Sequence, residues 1–243
     1  LHLTAGKRGP VSKLLLYRSF GYILKFLYIG CQWKELPIEK DESGRPEITT
    51  QAFTVFFNEM LFLLGLSLNF TKMIAEYQRN HGDGTTTSAK KGGDNIGYSG
   101  HKHMKGDTIV AFCDRNCNVI SPFVKATGTG NGIARAIGLD LKGTIVSLDG
   151  VYDCRTNRKS IFNRRMIPNI NANPRSRKKT KRGRKPLFNS DIFAERFQTI
   201  ERVFAWEDKF RRLLIRCDRL SKLHYAFRTL AYTMINLRHF CQG

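Results

Sequence analysis

The run Thr144-Ile-Val-Ser-Leu-Asp149-Gly-Val-Tyr-Asp-Cys154 decides how this chain is read. Its apolar, β-branched start predicts a strand, and that strand stops on a carboxylate. Two further carboxylates stand far from it in sequence. Asp83 lies upstream in His81-Gly-Asp-Gly-Thr-Thr-Thr87, and Glu201 lies downstream in Thr199-Ile-Glu-Arg-Val-Phe-Ala-Trp206, on a predicted helix. Three separated carboxylates that converge in space could hold paired divalent metals, which want hard oxygen ligands and suit phosphoryl transfer. Any one of them alone reads more simply as a solvated surface group.

Composition supplies the phosphates. Among 243 residues, 41 Lys and Arg stand against 20 Asp and Glu, a formal charge of +21 and a sequence pI near 10.0. A polyanion or an anionic membrane surface is the expected partner, and nucleic acid fits best. The 41% hydrophobic content is that of a globular chain, which excludes a wholly disordered basic tail. The apolar stretch Leu14 to Ile29 is interrupted by Arg18 and Lys25, and Phe53 to Leu68 carries Asn58 and Glu59; both read as packed helices, not membrane spans or a signal peptide. Six scattered cysteines with no framework spacing predict reduced thiols and a cytoplasmic setting.

Along the chain, residues 1–80 read as a helical module, with apolar positions recurring at Leu14, Tyr17, Phe20, Ile23, Leu24 and Leu27 and again at Phe56, Met60 and Leu63. Pro37 and Asp41-Glu-Ser-Gly-Arg-Pro46 separate its two halves. Residues 81–243 form the second unit. Strands are expected at Thr108 to Cys113, Val119 to Lys125 and Thr144 to Leu148, with Asp114-Arg-Asn as a hairpin turn. Arg175 to Lys185 carries eight basic residues in eleven and reads as a solvated loop. Asp191 then opens a helix expected to run to about Cys217, and a last helix spans Leu220 to Leu237. Helices, then strands, then helices predict an α/β or α+β core.

Four segments, in order, carry a resemblance. His81-Gly-Asp-Gly-Thr-Thr86, Gly97-Tyr-Ser-Gly-His-Lys-His-Met-Lys-Gly106, Leu148-Asp-Gly-Val-Tyr-Asp-Cys-Arg-Thr-Asn-Arg158 and Ile200-Glu-Arg-Val-Phe-Ala-Trp-Glu-Asp-Lys-Phe-Arg-Arg-Leu213 resemble bacterial insertion-sequence transposases of the DDE class. The resemblance implies an RNase H-like mixed sheet flanked by helices, with Asp83, Asp149 and Glu201 as catalytic and metal-binding carboxylates. It also implies two Mg²⁺ ions about 4 Å apart, with Mn²⁺ as a substitute, cleaving a strand and joining it to target DNA. Double-stranded DNA and a homo-oligomer on it are the implied partners, in a bacterial cytoplasm at the nucleoid.

Alternatives stay open at several positions. Glu195, Glu201 and Glu207 share the expected helix; on its wheel Glu207 falls amid the apolar face and Glu201 at the edge, so Glu207 could be the perturbed acid although the motif favours Glu201. Asp153 could replace Asp149 as ligand or be a turn carboxylate. His101, His103, Cys113 and Cys117 have zinc-type donors in an unpersuasive spacing. The simpler reading sends His101, Lys102, His103 and Lys105 to DNA phosphates. Arg175, Arg177, Lys178, Lys179, Lys181, Arg182, Arg184 and Lys185 join them, as do Arg202, Lys209 and Arg212. The polar lead-in Ala75 to Gly82 and the short glycine-rich bridge 126–132 depart from the family pattern. They keep two other functions in view, a degenerate copy that binds DNA without turnover and an unrelated basic nucleic-acid-binding module.

Overall fold

The computed structural model describes residues 16–49, 78–100, 102–124, 141–173 and 186–241. Within them the middle of the chain builds a seven-stranded mixed sheet around β1 (Arg79–Ala89). On one edge β1 pairs antiparallel with β3 (Met104–Cys113), from His81 opposite Cys113 to Ser88 opposite Gly106. On its other edge it pairs in parallel with β5 (Ile145–Leu148), from Arg79 opposite Ile145 to Gly82 opposite Leu148. Further along that edge β7 (Ile215–Arg216) lies opposite Ser88 and Ala89. β2 (Gly97–Ser99) and β4 (Val119–Val124) share the far edge of β3, and β6 (Ile167–Ile170) extends the sheet in parallel beyond β5.

The polar lead-in to Asp83 is thus strand from Arg79 onward. A central strand satisfies its amides and carbonyls on both edges, and the β-branched run Thr85 to Thr87 favours the extended backbone, so an apolar lead-in is not required. Two glycines let neighbours come close. A Cβ on Gly82 would sit 2.5 Å from the Phe112 ring and 2.7 Å from Leu148, and one on Gly84 would sit 2.5 Å from the Tyr152 hydroxyl. The hairpin expected at Asp114 forms. Asp114 Oδ1 accepts from the amides of Asn116 (2.9 Å) and Asn118 (2.8 Å), an Asx turn that reverses the chain between β3 and β4.

Each face of the sheet has its own core. Val146, Leu148, Ile161, Met166 and Ile170 pack on one side with Phe112 and Tyr152, under α2 (Arg155–Asn163). On the other side α1 (Leu16–Ile29) buries Ser19, Tyr22, Ile23, Phe26 and Leu27, a stripe at helical spacing. Those residues share one cluster with Ile200, Val203, Phe210 and Leu213 and with Phe227 and Leu230 of the last helix; Phe26 and Phe227 lie 5.4 Å apart. The second apolar stretch of the N-terminal module, Phe53 to Leu68, lies outside the described residues.

The single helix expected from Asp191 to Cys217 is instead three helices and a strand. α3 (Ser190–Gln198) starts one residue early because Asn189 is its N-cap, accepting from the amides of Asp191 and Ile192 at 2.9 and 3.0 Å. Thr199 leaves helical geometry at φ −112°, ψ −81°, its hydroxyl turned back onto the Glu195 carbonyl at 3.0 Å. α4 (Ile200–Glu207) and α5 (Arg211–Leu214) follow, and then β7 adds to the sheet. The last helix, α6, runs Ser221–Cys241, capped by Asp94, which accepts from the Ser221 amide (2.6 Å) and hydroxyl (2.8 Å). Among the described residues no helix is long and apolar enough to cross a membrane.

Candidate functional site: an aspartate pair bridged by an arginine

Parallel strands deliver their C-terminal ends to the same edge of a sheet, and that edge is where open α/β sheets present groups to ligands. β5 ends at Leu148, so Asp149 is the first residue beyond it, next in register after the Gly82–Leu148 pair and hence beside Asp83. Neighbouring strands lie about 4.8 Å apart, which makes these two aspartates near neighbours although 66 residues separate them in sequence. Each has one oxygen fixed by the backbone that follows it. Asp83 Oδ1 accepts from the Gly84 amide at 2.7 Å, and Asp149 Oδ1 accepts from the Gly150 amide at 2.7 Å, where it caps a short 3₁₀ turn.

Arg196 on α3 joins them. Its Nη2 donates to Asp83 Oδ2 at 2.6 Å, and its Nη1 lies 3.8 Å from Asp149 Oδ1. The residue is 5% exposed, and its guanidinium lies 5.2 and 5.5 Å from the ring centres of Phe193 and Phe197. Tyr152 closes the opposite side over Gly84. Burial first, then the charges of Asp83 and Asp149, push its hydroxyl up to about 12, so it stays protonated as a donor at neutral pH.

Glu195, the neighbour of Arg196, sits one strand repeat back from the pair. It binds Arg79 Nη1 at 2.6 Å and faces His81 Nε2 and Arg115 Nε, each at 3.5 Å. His81 is fully buried, and desolvation lowers its pKa despite the pull of Glu195, which keeps the ring neutral at neutral pH. Glu195, Gln198, Arg202 and Trp206 also line an open cavity of about 510 Å³ with Arg115 and Arg238; the Arg238 guanidinium lies 4.0 Å over the Trp206 ring. A second groove, about 540 Å³, is lined by Arg155, Lys159 and Arg164 of the α2 region.

Of the three carboxylates read from the sequence, the fold gathers two. Glu201 lies exposed in the first turn of α4. Glu207 is committed elsewhere: it is 5% exposed, bonded to Arg228 Nη2 at 2.9 Å and to the Tyr232 hydroxyl. Asp153 pairs with Arg158 Nε at 2.7 Å and accepts from the Asn173 amide at 3.1 Å, which marks it as a turn carboxylate. Among the described residues no group of three or more His, Cys, Asp or Glu is arranged to hold a metal ion.

Of the zinc-type quartet, His101 is outside the described residues; His103 is exposed, whereas Cys113 and Cys117 are buried. Lys102, His103, Lys105, Arg202 and Lys209 are exposed, as a phosphate contact requires. Arg212 is not. It is 8% exposed, paired with Asp218 at 2.5 Å, and stacked 4.8 Å over Phe26 and 5.7 Å over Phe227, so it is a core cation and drops from the expected DNA-binding set. The run Arg175, Arg177, Lys178, Lys179, Lys181, Arg182, Arg184 and Lys185 lies outside the described residues.

Sequence reasoning missed Arg196 and Tyr152. Tyr152 stands three residues after Asp149 and Arg196 five before Glu201, so both sat inside or beside quoted motifs.

The donor chemistry of the pair, two carboxylates reached by one guanidinium, fits a hard divalent cation. The three-carboxylate, two-ion centre does not fit this arrangement, because Glu201 is outside the pair and a guanidinium rests on it. Comparison of the chain with family models, with curated proteins and with solved structures finds no match.

Proposed function

We propose that this chain is a DNA strand-cleaving and strand-transferring enzyme, a transposase of the DDE kind built on an RNase H-like sheet. The observation that carries the reading is the meeting of Asp83, within the central strand β1, and Asp149, just past the end of β5, under one guanidinium. The sheet supports it, with β1 central, antiparallel strands on one side and parallel strands on the other in the order β4-β3-β1-β5-β6. A charge of +21 and two arginine-lined grooves suit a DNA backbone. Asp83 and Asp149 would hold a divalent cation, whose chemistry is to polarise a phosphoryl oxygen and stabilise the charge of the departing one. Double-stranded DNA is the substrate of this reading, engaged by a homo-oligomer, and Glu201, which stands outside the pair, is given no place at the ion.

A second reading, a chain that binds DNA without turnover, is favoured by the place of Glu201 away from the pair. One experiment separates the two. Supercoiled plasmid is incubated with the chain and Mg²⁺ or Mn²⁺, and nicking is followed on gels beside a mobility-shift assay. The transposase reading expects nicking by the parent, its loss in Asp83→Asn and Asp149→Asn, and retained DNA binding in both. Binding without nicking by the parent gives the second reading, and nicking that survives both substitutions refutes the first.

A further inference from the structure

The guanidinium on the aspartate pair has chemistry of its own. Two carboxylates on neighbouring strands repel each other, and the fold answers with Arg196, 2.6 Å from Asp83 and 3.8 Å from Asp149. The arginine is held there from behind, since its side chain is only 6% exposed and lies against Phe193 and Phe197. Its Nε is buried with no acceptor among the described residues. Its pairing therefore goes through the two terminal nitrogens and depends on those carboxylates.

We propose that Arg196 is the resident counter-ion of Asp83 and Asp149, and that a divalent cation enters the pair only by displacing its guanidinium. This rests on the metal-dependent reading above and adds a competitor to it. The competition is for the same atoms: Asp83 Oδ1 is occupied by the Gly84 amide and Oδ2 by Arg196, so an ion reaching Asp83 meets a positive group already bound there. Asp149 is the open side of the pair, 41% exposed with its Oδ1 shared between the Gly150 amide and the same arginine, so an ion that bridges both carboxylates must still take Asp83 from Arg196. The displaced guanidinium stays tethered to α3 beside Phe197, which is 60% exposed. The same cation thus neutralises the pair at rest and is free for an anion once an ion has taken the carboxylates.

Mn²⁺ binding to the full chain without DNA tests this, by titration calorimetry and by loss of the free-ion paramagnetic signal. Arg196→Met keeps the length and packing of the side chain and removes the charge. It should bind Mn²⁺ at least about tenfold more tightly than the parent, because one unit of like charge at close range is gone. Asp149→Asn should weaken binding in both backgrounds, which ties the signal to this pair.

Equal or weaker Mn²⁺ binding by a folded Arg196→Met overturns the proposal and leaves the metal-dependent reading standing. Absence of Mn²⁺ binding in parent and variant alike overturns both. Should Arg196→Met fail to fold, the parent answers alone through the Nε–Hε resonance of Arg196, assigned by its absence in Arg196→Lys. Titration with Mg²⁺ should shift that resonance with the midpoint of ion binding; a resonance unmoved at saturation refutes the displacement.

Discussion

Replacing Glu207 by Gln beside Glu201 by Gln separates a structural carboxylate from a chemical one. Glu207 Oε1 lies 2.9 Å from Arg228 Nη2, and their side chains are 7% and 0% exposed. At that separation and an effective dielectric of about 20, the gross attraction is about 6 kcal/mol. Removing the negative partner leaves Arg228 buried and uncompensated, and its Nε and Nη1 already lack acceptors among the described residues. Thr87 Oγ1, at 2.7 Å, is a neutral partner and cannot replace the charge. The expected loss is about 3–5 kcal/mol, the range for breaking a buried pair from one side. In a chain of this length that is roughly a 10 °C fall in Tm. Glu201→Gln, at an exposed position, should stay within about 0.5 kcal/mol of the parent. Urea denaturation followed by far-UV circular dichroism reads both. Adding Arg228→Met to Glu207→Gln should recover much of the loss, because the unpaired charge is then gone as well. If Glu207→Gln unfolds like the parent while abolishing metal-dependent nicking, the structural assignment of Glu207 is wrong and the third carboxylate has been found.

Other outcomes follow from the same geometry. Gly82→Ala forces a Cβ to within 2.5 Å of the Phe112 ring and should cost about 1–3 kcal/mol in the same denaturation assay. His224 is fully buried, and burial, followed by the charges of Arg228, Arg216 and Arg212, lowers its pKa to about 3. The unfolded chain therefore takes up this proton first as pH falls, so stability is intact above about 6.5 and declines toward 3, by up to about 1.4 kcal/mol per pH unit; His224→Phe should flatten that decline in denaturation midpoints measured across pH. In the basic run, changing Lys178, Lys179, Lys181 and Arg182 to Ala should weaken binding to all DNA sequences alike. It should also reduce the slope of log affinity against log salt by about 0.9 for each phosphate that is no longer neutralised; an unchanged slope together with a loss of preference among sequences would mean that this segment reads bases.

What could be read in advance followed how local the cause was. The strand ending at Asp149 and the turn at Asp114 were legible because an apolar run and an Asx turn are set by adjacent residues. The strand carrying Asp83 was harder, since its lead-in is polar and its extended state comes from β3 and β5 on either side. The break at Thr199 escaped because the apolar spacing runs through it unchanged, and β7 because two residues of edge pairing leave no periodic mark. The wheel located Glu207 on the buried side but did not reveal Arg228, 21 residues further on, as its counter-charge. By the same limit Arg212 read as one more surface cation until Asp218, Phe26 and Phe227 closed around it. Arg196 stood in view on an expected helix, and only the sheet register, which sets two distant aspartates side by side, gives it a role.

Substituting the softer thiolate for one carboxylate is the most direct test that this pair holds a metal during DNA cleavage. Asp149→Cys should bind DNA and unfold like the parent, lose plasmid nicking in Mg²⁺, and regain it in part with Mn²⁺, which accepts sulfur more readily. Nicking by Asp149→Cys in Mg²⁺ at the parent's rate would contradict the account, because a required hard-oxygen ligand could not be replaced without loss.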